Sequence, residues 1–342
     1  GLVSVSLPRP SPRNKMAGKV SIPLLAFYLI AWYGLNIQYN LYNKKILNIF
    51  PFPYTCGLAQ LASGLLYIAP TWLLGIGGRK VPTGFSVPSI SLLAIFHGSG
   101  HYATVISLGA GSVAFANVVK AAEPLCSVVM GIIISSSFPT LMECGTLLPI
   151  VAGVMIASMA EPEFSMNAFT FAMLSNVLFA ARGALGKKVM SSNKMSGADT
   201  FAILTIFAMI FMAPVTMVME GQDIKEAFDK LTTGTDPVDY AALAKGDLPK
   251  NPSPTYFLAY QVVCGIYYYL YNEMAFMVLD LLDPVGQAVG NTVKRVVVII
   301  AGTIAFNKPL TQNGMIGSAV AIGGVLLYSL AKSAGGAKKK TA

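Results

Sequence analysis

"AVGNTVKRVVVIIAGTIAF", residues 288–306, is long enough to cross a bilayer, yet it holds two adjacent cations, Lys294 and Arg295, among apolar, glycine and small polar residues. A full charge near the centre of a membrane helix costs about 2.5–3.5 kcal/mol on insertion scales, so something must offset it. Part of this run, "GNTVKRVVVI" (290–299), shares the pattern N-x-V-K with "ANVVKAAEPL" (116–125). The likeness continues downstream, where "VAGVMIAS" (151–158) matches "IGGVLLYS" (322–329). It is fainter upstream, where "YNKKIL" (42–47) echoes "LGKKVM" (185–190). The chain reads as a duplication.

Apolar runs of spanning length fall at about residues 21–43, 52–75, 87–108, 112–135, 140–159, 166–189, 199–219, 254–278, 285–306 and 312–332. Ten runs divide into five and five. Because five is odd, the second copy enters the membrane upside down relative to the first. The expected fold is therefore an all-α integral membrane protein of ten transmembrane helices in two inverted five-helix repeats. Such repeats are related by a pseudo-two-fold axis in the membrane plane and place a binding site near the midplane. The boundaries are an N-terminal tail at 1–20, a first repeat at 21–160, a second at 161–332 carrying a polar loop at 220–252, and a basic C-terminal tail at 333–342.

Composition agrees. Of 342 residues, 54% are hydrophobic and 11% charged, whereas a soluble domain carries about 25% charged residues. The mean hydropathy is +0.62. The net charge of +9 does not indicate nucleic acid, because the surface bases sit in the tails and in clusters such as Lys44–Lys45, Arg79–Lys80 and Lys338–Lys340, as membrane flanks do. Cys56, Cys126, Cys144 and Cys264 all fall in apolar runs without C-x-x-C spacing and read as buried thiols. The first residues, "GLVSVSLPRPSPRNK", combine Ser, Pro and Arg with no acid, and read as the end of a processed targeting peptide or as an expression remnant. In the polar segment 221–251, Ile224, Phe228 and Leu231 suit a short amphipathic helix on the membrane surface; a solvated loop is the alternative.

Of 24 basic residues, only Lys120, Arg182, Lys294 and Arg295 lie well inside the expected spans, against the carboxylates Glu123 and Glu273, with Glu143 nearer a helix end. Four cations less two carboxylates leave a surplus of +2. Unpaired charges are not tolerated in low dielectric, so an anion is missing. A phosphate-bearing solute supplies a dianion, and Arg and Lys are its usual ligands. Glu123 lies three residues from Lys120, placed to hold the lysine when the site is empty. Pro124 removes the amide that would donate to the carbonyl of Lys120, which predicts a kink beside the charge. Arg182 is either a third phosphate ligand or a structural partner of Glu123. The histidines both occur in "HGSGHYATV" (97–105), where His101 and Thr104 share a face. In "YYYLYNEM" (267–274), Tyr271 stands beside the buried acid Glu273. No nucleophile–base pair, H-E-x-x-H or carboxylate cluster for a divalent metal is present, so the reading is a transporter with neither metal nor cofactor.

The segments "VGNTVKRV" (289–296), "VKAAEPLCSVV" (119–129), "ARGALGKKVM" (181–190) and "YNEMAFMVLD" (271–280) resemble those of the plastidic phosphate translocators, within the drug/metabolite transporter superfamily. The likeness runs over nearly all of residues 20–332, and the Lys-Arg pair after "GNTV" is its most specific part. It implies ten helices in two inverted halves, with strict exchange of inorganic phosphate for a phosphorylated C3, C5 or C6 compound across the inner plastid envelope. Carried over by motif, Lys120, Lys294 and Arg295 are phosphate ligands, and His101, Thr104 and Tyr271 touch the organic part. Glu123, Arg182 and Glu273 remain gating or structural charges. Where many plant members read "SFTHVIKSGEP", this chain reads "AFANVVKAAEP" (114–124). The expected cargo is triose phosphate or 3-phosphoglycerate against phosphate. The alternatives are phosphoenolpyruvate, a hexose phosphate, or a nucleotide sugar on the same fold.

Overall fold

A computed structural model describes residues 22–162, 164–193, 195–281 and 284–341; the N-terminal tail, with its targeting-peptide reading, lies outside them. Each of the ten apolar runs lies on a helix or a broken helix. The first five occupy α1 (Ile22–Ile49), α2 (Pro53–Ser63) continuing as α3 (Leu65–Leu73), α4 (Val87–Ala110), α5 (Val113–Val119) continuing as α6 (Glu123–Ser135), and α7 (Leu141–Met159). Then follow α8 (Met166–Asn193), α9 (Gly197–Glu220), the short α10 (Ile224–Thr232) and α11 (Tyr240–Lys245) of the polar segment, α12 (Pro254–Leu281), α13 (Pro284–Ala305) and α14 (Gln312–Thr341). Residues 333–341, expected as part of a basic tail, continue α14. Among the described residues there is no β-strand, only an isolated bridge between Asp236 and Pro252.

Among the described residues, six segments are long and apolar enough to cross a membrane: Pro53–Leu73, Val113–Ile134, Leu141–Met159, Met166–Gly186, Gly197–Glu220 and Gln312–Ala334. The other long helices, α1, α4, α12 and α13, carry much of the interior polarity, including Asn36, Asn40, His97, His101, Tyr268 and Arg295. Outer faces are apolar: Leu141 is 90% exposed, Met159 86% and Leu73 85%. Such a surface requires hydrocarbon around it, and helices satisfy their own backbone there.

Packing is by pairs. α4 lies on α8 and on α9, while α12 lies on α1 and on α2; α6 lies on α8, and α13 on α1; α5 meets α7, and α13 meets α14. α7 and α14 touch backbone to backbone. A Cβ on Gly153 would stand 2.2 Å from the amide nitrogen of Ala321, and one on Gly324 would stand 2.9 Å from that of Ile150. Only glycine permits that approach.

α9 is pinned at both ends. At its C-terminus the buried Glu220 accepts from the amides of Tyr54 (3.0 Å) and Thr55 (2.7 Å) and from the Thr55 hydroxyl (2.7 Å), satisfying donors left open at the start of α2. At its N-terminus Asp199 lies 3.5 Å from Nε of Arg79, and Arg79 also forms an ion pair with Glu273 of α12. Arg79, expected as a surface flank, is therefore an interior residue: the turn after α3 folds it back against a carboxylate with no solvent exposure.

The polar segment caps one face of the bundle. Tyr42 donates to the Leu243 carbonyl (2.6 Å), Tyr260 to that of Gly246 (2.8 Å) and Tyr256 to that of Asp247 (3.0 Å). The helical reading of its start holds as α10, but Ala227 is buried and Leu231 packs on the core, so this helix rests on protein. Cys56, Cys126 and Cys264 are buried as expected, whereas Cys144 is exposed on the outward side of α7.

Candidate anion-binding site

Lys120 stands where a helix is broken. Pro124 has no amide to offer the Lys120 carbonyl, so the chain tightens into a 3-10 turn at Lys120–Ala122, in which the Glu123 amide serves that carbonyl instead. The shift leaves the Val119 carbonyl without its helical donor, and the buried Asn176 side chain of α8 supplies one at 3.1 Å. The kink predicted from Pro124 is present. The second N-x-V-K copy has Val298 where the first has Pro124, and α13 runs unbroken through Lys294 and Arg295.

The break delivers Lys120 to a cavity of about 350 Å³ lying among α1, α4, α5, α8, α12 and α13, within the roughly 300–1,000 Å³ of small-molecule sites. Lys120 donates to the Thr104 hydroxyl at 2.8 Å, and its ammonium lies 5.6 Å from the centre of the Phe179 ring. The Lys294 ammonium lies 4.8 Å above the Trp32 ring, brought there by the close approach of α13 to α1, where Tyr33 donates to the Gly290 carbonyl at 2.8 Å. Arg295 forms an ion pair with Glu123. Arg182 faces the rings of Phe179 (5.0 Å) and Phe276 (5.9 Å) and donates to Nδ1 of His97 at 3.0 Å. Cation–π contacts of this kind stabilise a desolvated cation without neutralising it.

Of the nine site residues expected from sequence, seven line this cavity: Thr104, Lys120, Glu123, Arg182, Tyr271, Lys294 and Arg295. His101 does not. It is 1% exposed, lies behind Tyr268 with ring centres 4.0 Å apart, and its Nε2 has no partner among the described residues. Glu273 is also elsewhere, on Arg79. Glu123 holds Arg295 rather than Lys120 or Arg182. The charge balance shifts accordingly: among the described residues the wall carries four cations and one carboxylate, a surplus of +3 instead of +2.

The expected list missed the asparagine lining. Asn36, Asn40, Asn117, Asn176, Asn272 and Asn291 all reach the wall. Asn40, Asn117 and Asn272 each donate to the carbonyl four residues earlier in their own helix, at 2.7, 2.9 and 2.9 Å. The i, i+4 spacing of Asn36 and Asn40 within an apolar run was the available signal. The cavity extends past Gly183, Gly186, Thr200 and Leu204 toward the face that bears the start of α9. The opposite face lies beneath the polar cap and a stack of rings, including Tyr42 on Tyr260 at 4.4 Å. A second hollow, of about 550 Å³, beside α6, α7 and α8 has no charged residue in its lining among the described residues and is not the candidate anion site.

Residues 24–329 match the Triose-phosphate Transporter family. The chain belongs to that family. As a Triose-phosphate Transporter family member it is a transporter and not an enzyme. Phosphoenolpyruvate/phosphate translocator 2, chloroplastic, of Arabidopsis thaliana is 35% identical over 304 residues, 88% of this chain and 75% of that protein. The triose phosphate/phosphate translocator, chloroplastic, of Pisum sativum is likewise 35% identical, over 90% of this chain and 72% of its own. A crystal structure described simply as that of a protein superposes with a TM-score of 0.51 at 14% identity, over 90% of this chain and 96% of that one, a likeness of fold alone.

Proposed function

We propose that this family member is a strict antiporter exchanging inorganic phosphate for triose phosphate or 3-phosphoglycerate across the inner plastid envelope, by alternating access between two inverted five-helix repeats. The observation that carries the reading is the cavity wall of four cations and one carboxylate, a charge that only a bound anion offsets in low dielectric. Lys120, Lys294 and Arg295 bind the phosphate. Thr104 and Tyr271 face the organic part, and His101 supports that end through the Tyr268 ring. The repeat reading is supported by self-complementary contacts. By the sequence match, Gly153 corresponds to Gly324 and Ile150 to Ala321; Gly153 sits on Ala321, and Gly324 sits on Ile150. Reciprocity of this kind belongs to a two-fold axis, and the pairings of α4 with α8 and α1 with α12 repeat it on a larger scale.

A second cargo, phosphoenolpyruvate, is favoured by the equal 35% identity to a translocator named for it. Proteoliposomes preloaded with phosphate, dihydroxyacetone phosphate, 3-phosphoglycerate, phosphoenolpyruvate or glucose 6-phosphate and given labelled phosphate outside decide the order. Uptake is expected only with a loaded lumen, fastest with the C3 compounds. Equal uptake into empty vesicles would contradict strict antiport.

A further inference from the structure

His97 was singled out with His101 in the sequence but has no part in the function derived so far. It is 1% exposed and does not reach the cavity wall. Its Nδ1 lies 3.0 Å from Nη1 of Arg182, and its Nε2 lies 2.9 Å from the Tyr268 hydroxyl. A guanidinium only donates, so Nδ1 must be the acceptor and carries no proton. The imidazole proton is then on Nε2, and Tyr268 accepts it. One chain of hydrogen bonds fixes the tautomer, the ring and the guanidinium together.

Among the described residues no ion pair joins Arg182 to a carboxylate; the carboxylate on the wall, Glu123, is taken by Arg295. Phe179 and Phe276 attract the guanidinium, but a ring face does not set the in-plane direction of its N–H groups. The bond to His97 does.

We propose that His97 is a positioning residue for phosphate exchange, its unprotonated Nδ1 holding Arg182 toward the cavity as a fourth cation for the anion. The inference rests on the exchanger reading above. Asparagine places an amide oxygen near the position of Nδ1, whereas glutamine mimics Nε2. The distinction separates positioning from simple filling of space.

The test measures KM and maximal rate for phosphate/phosphate exchange in proteoliposomes, with each variant made alone and on Arg182→Ala. His97→Ala is expected to raise KM about tenfold or more, the scale of a lost hydrogen bond to a charged group, with little change in maximal rate. His97→Asn should stay within about threefold of wild type, and His97→Gln should resemble alanine. On Arg182→Ala, the His97→Ala change should shift KM by less than about twofold, since contacts that act through one residue are not additive. An equal rise in both backgrounds, or rescue by Gln as good as by Asn, would overturn the assignment. Should His97→Ala not fold, Tyr268→Phe decides: it keeps the ring, frees the imidazole proton, and is expected to raise KM about threefold only when Arg182 is present. The same rise without Arg182 overturns the inference. Absence of exchange by the wild-type protein would instead overturn the exchanger reading itself.

Discussion

In the proposed exchanger, Lys120, Lys294 and Arg295 would each contribute a charge-assisted contact worth roughly 1.5–3 kcal/mol in a desolvated site, a factor of about ten or more in affinity. Replacing any one by Ala is expected to reduce phosphate exchange at least tenfold, measured as initial labelled-phosphate uptake by folded protein; wild-type rates would remove that residue from the site. Glu123 pairs with Arg295 and, in the proposed site, would compete with the anion for it. Glu123→Gln should therefore lower KM for phosphate several-fold while slowing turnover, because the carboxylate no longer helps displace the product. A raised KM would show that Glu123 only orients the arginine. The cations were legible in the sequence because a charge in an apolar run is conspicuous. Their partners were not. Arg79 sits in a loop and reads as a flank until the chain folds it onto Glu273. His97 and His101 lie one helical turn apart, and only the packing of Tyr268 and Arg182 tells them apart.

Helices were easier to read than their contacts. Apolar length found every run, and Pro124 announced the break at Lys120, but the donor that repairs the break, Asn176, comes from a helix 57 positions away in sequence. The glycine echo in "VAGVMIAS" and "IGGVLLYS" did not say that α7 and α14 would meet backbone to backbone. The α7–α14 contact makes a stability prediction. Gly153→Leu would drive a side chain into the backbone of α14, where a Cβ alone already comes within 2.2 Å. Overpacking typically costs about 1–3 kcal/mol, and more where backbone must move. A lower thermal unfolding midpoint in detergent is expected, with Gly323→Leu, which faces open space, as the control. Equal midpoints would mean that the two helices separate without loss.

At the scale of the whole molecule, the cavity is lined toward the face bearing the start of α9, while the polar segment and stacked tyrosines cover the other. To move cargo across, the carrier must pass through a state that closes both faces over the site. Empty, that state would enclose the four cations and one carboxylate described on the wall, and their repulsion and desolvation would raise it by several kcal/mol. A bound phosphate group offsets most of the surplus and selectively stabilises the closed form, which is how a ligand drives a conformational equilibrium. On the proposed reading, obligatory exchange would then follow from electrostatics, with no proton or sodium ion as partner. The most direct measurement loads proteoliposomes with labelled phosphate and compares efflux into substrate-free buffer with efflux into phosphate buffer, for wild type and for Lys294→Gln. In wild type, efflux should require external phosphate. In Lys294→Gln, the ratio of uncoupled to coupled flux should rise, because the empty closed state holds one cation fewer. A ratio unchanged from wild type, in a variant that still binds phosphate, would contradict charge repulsion as the coupling device.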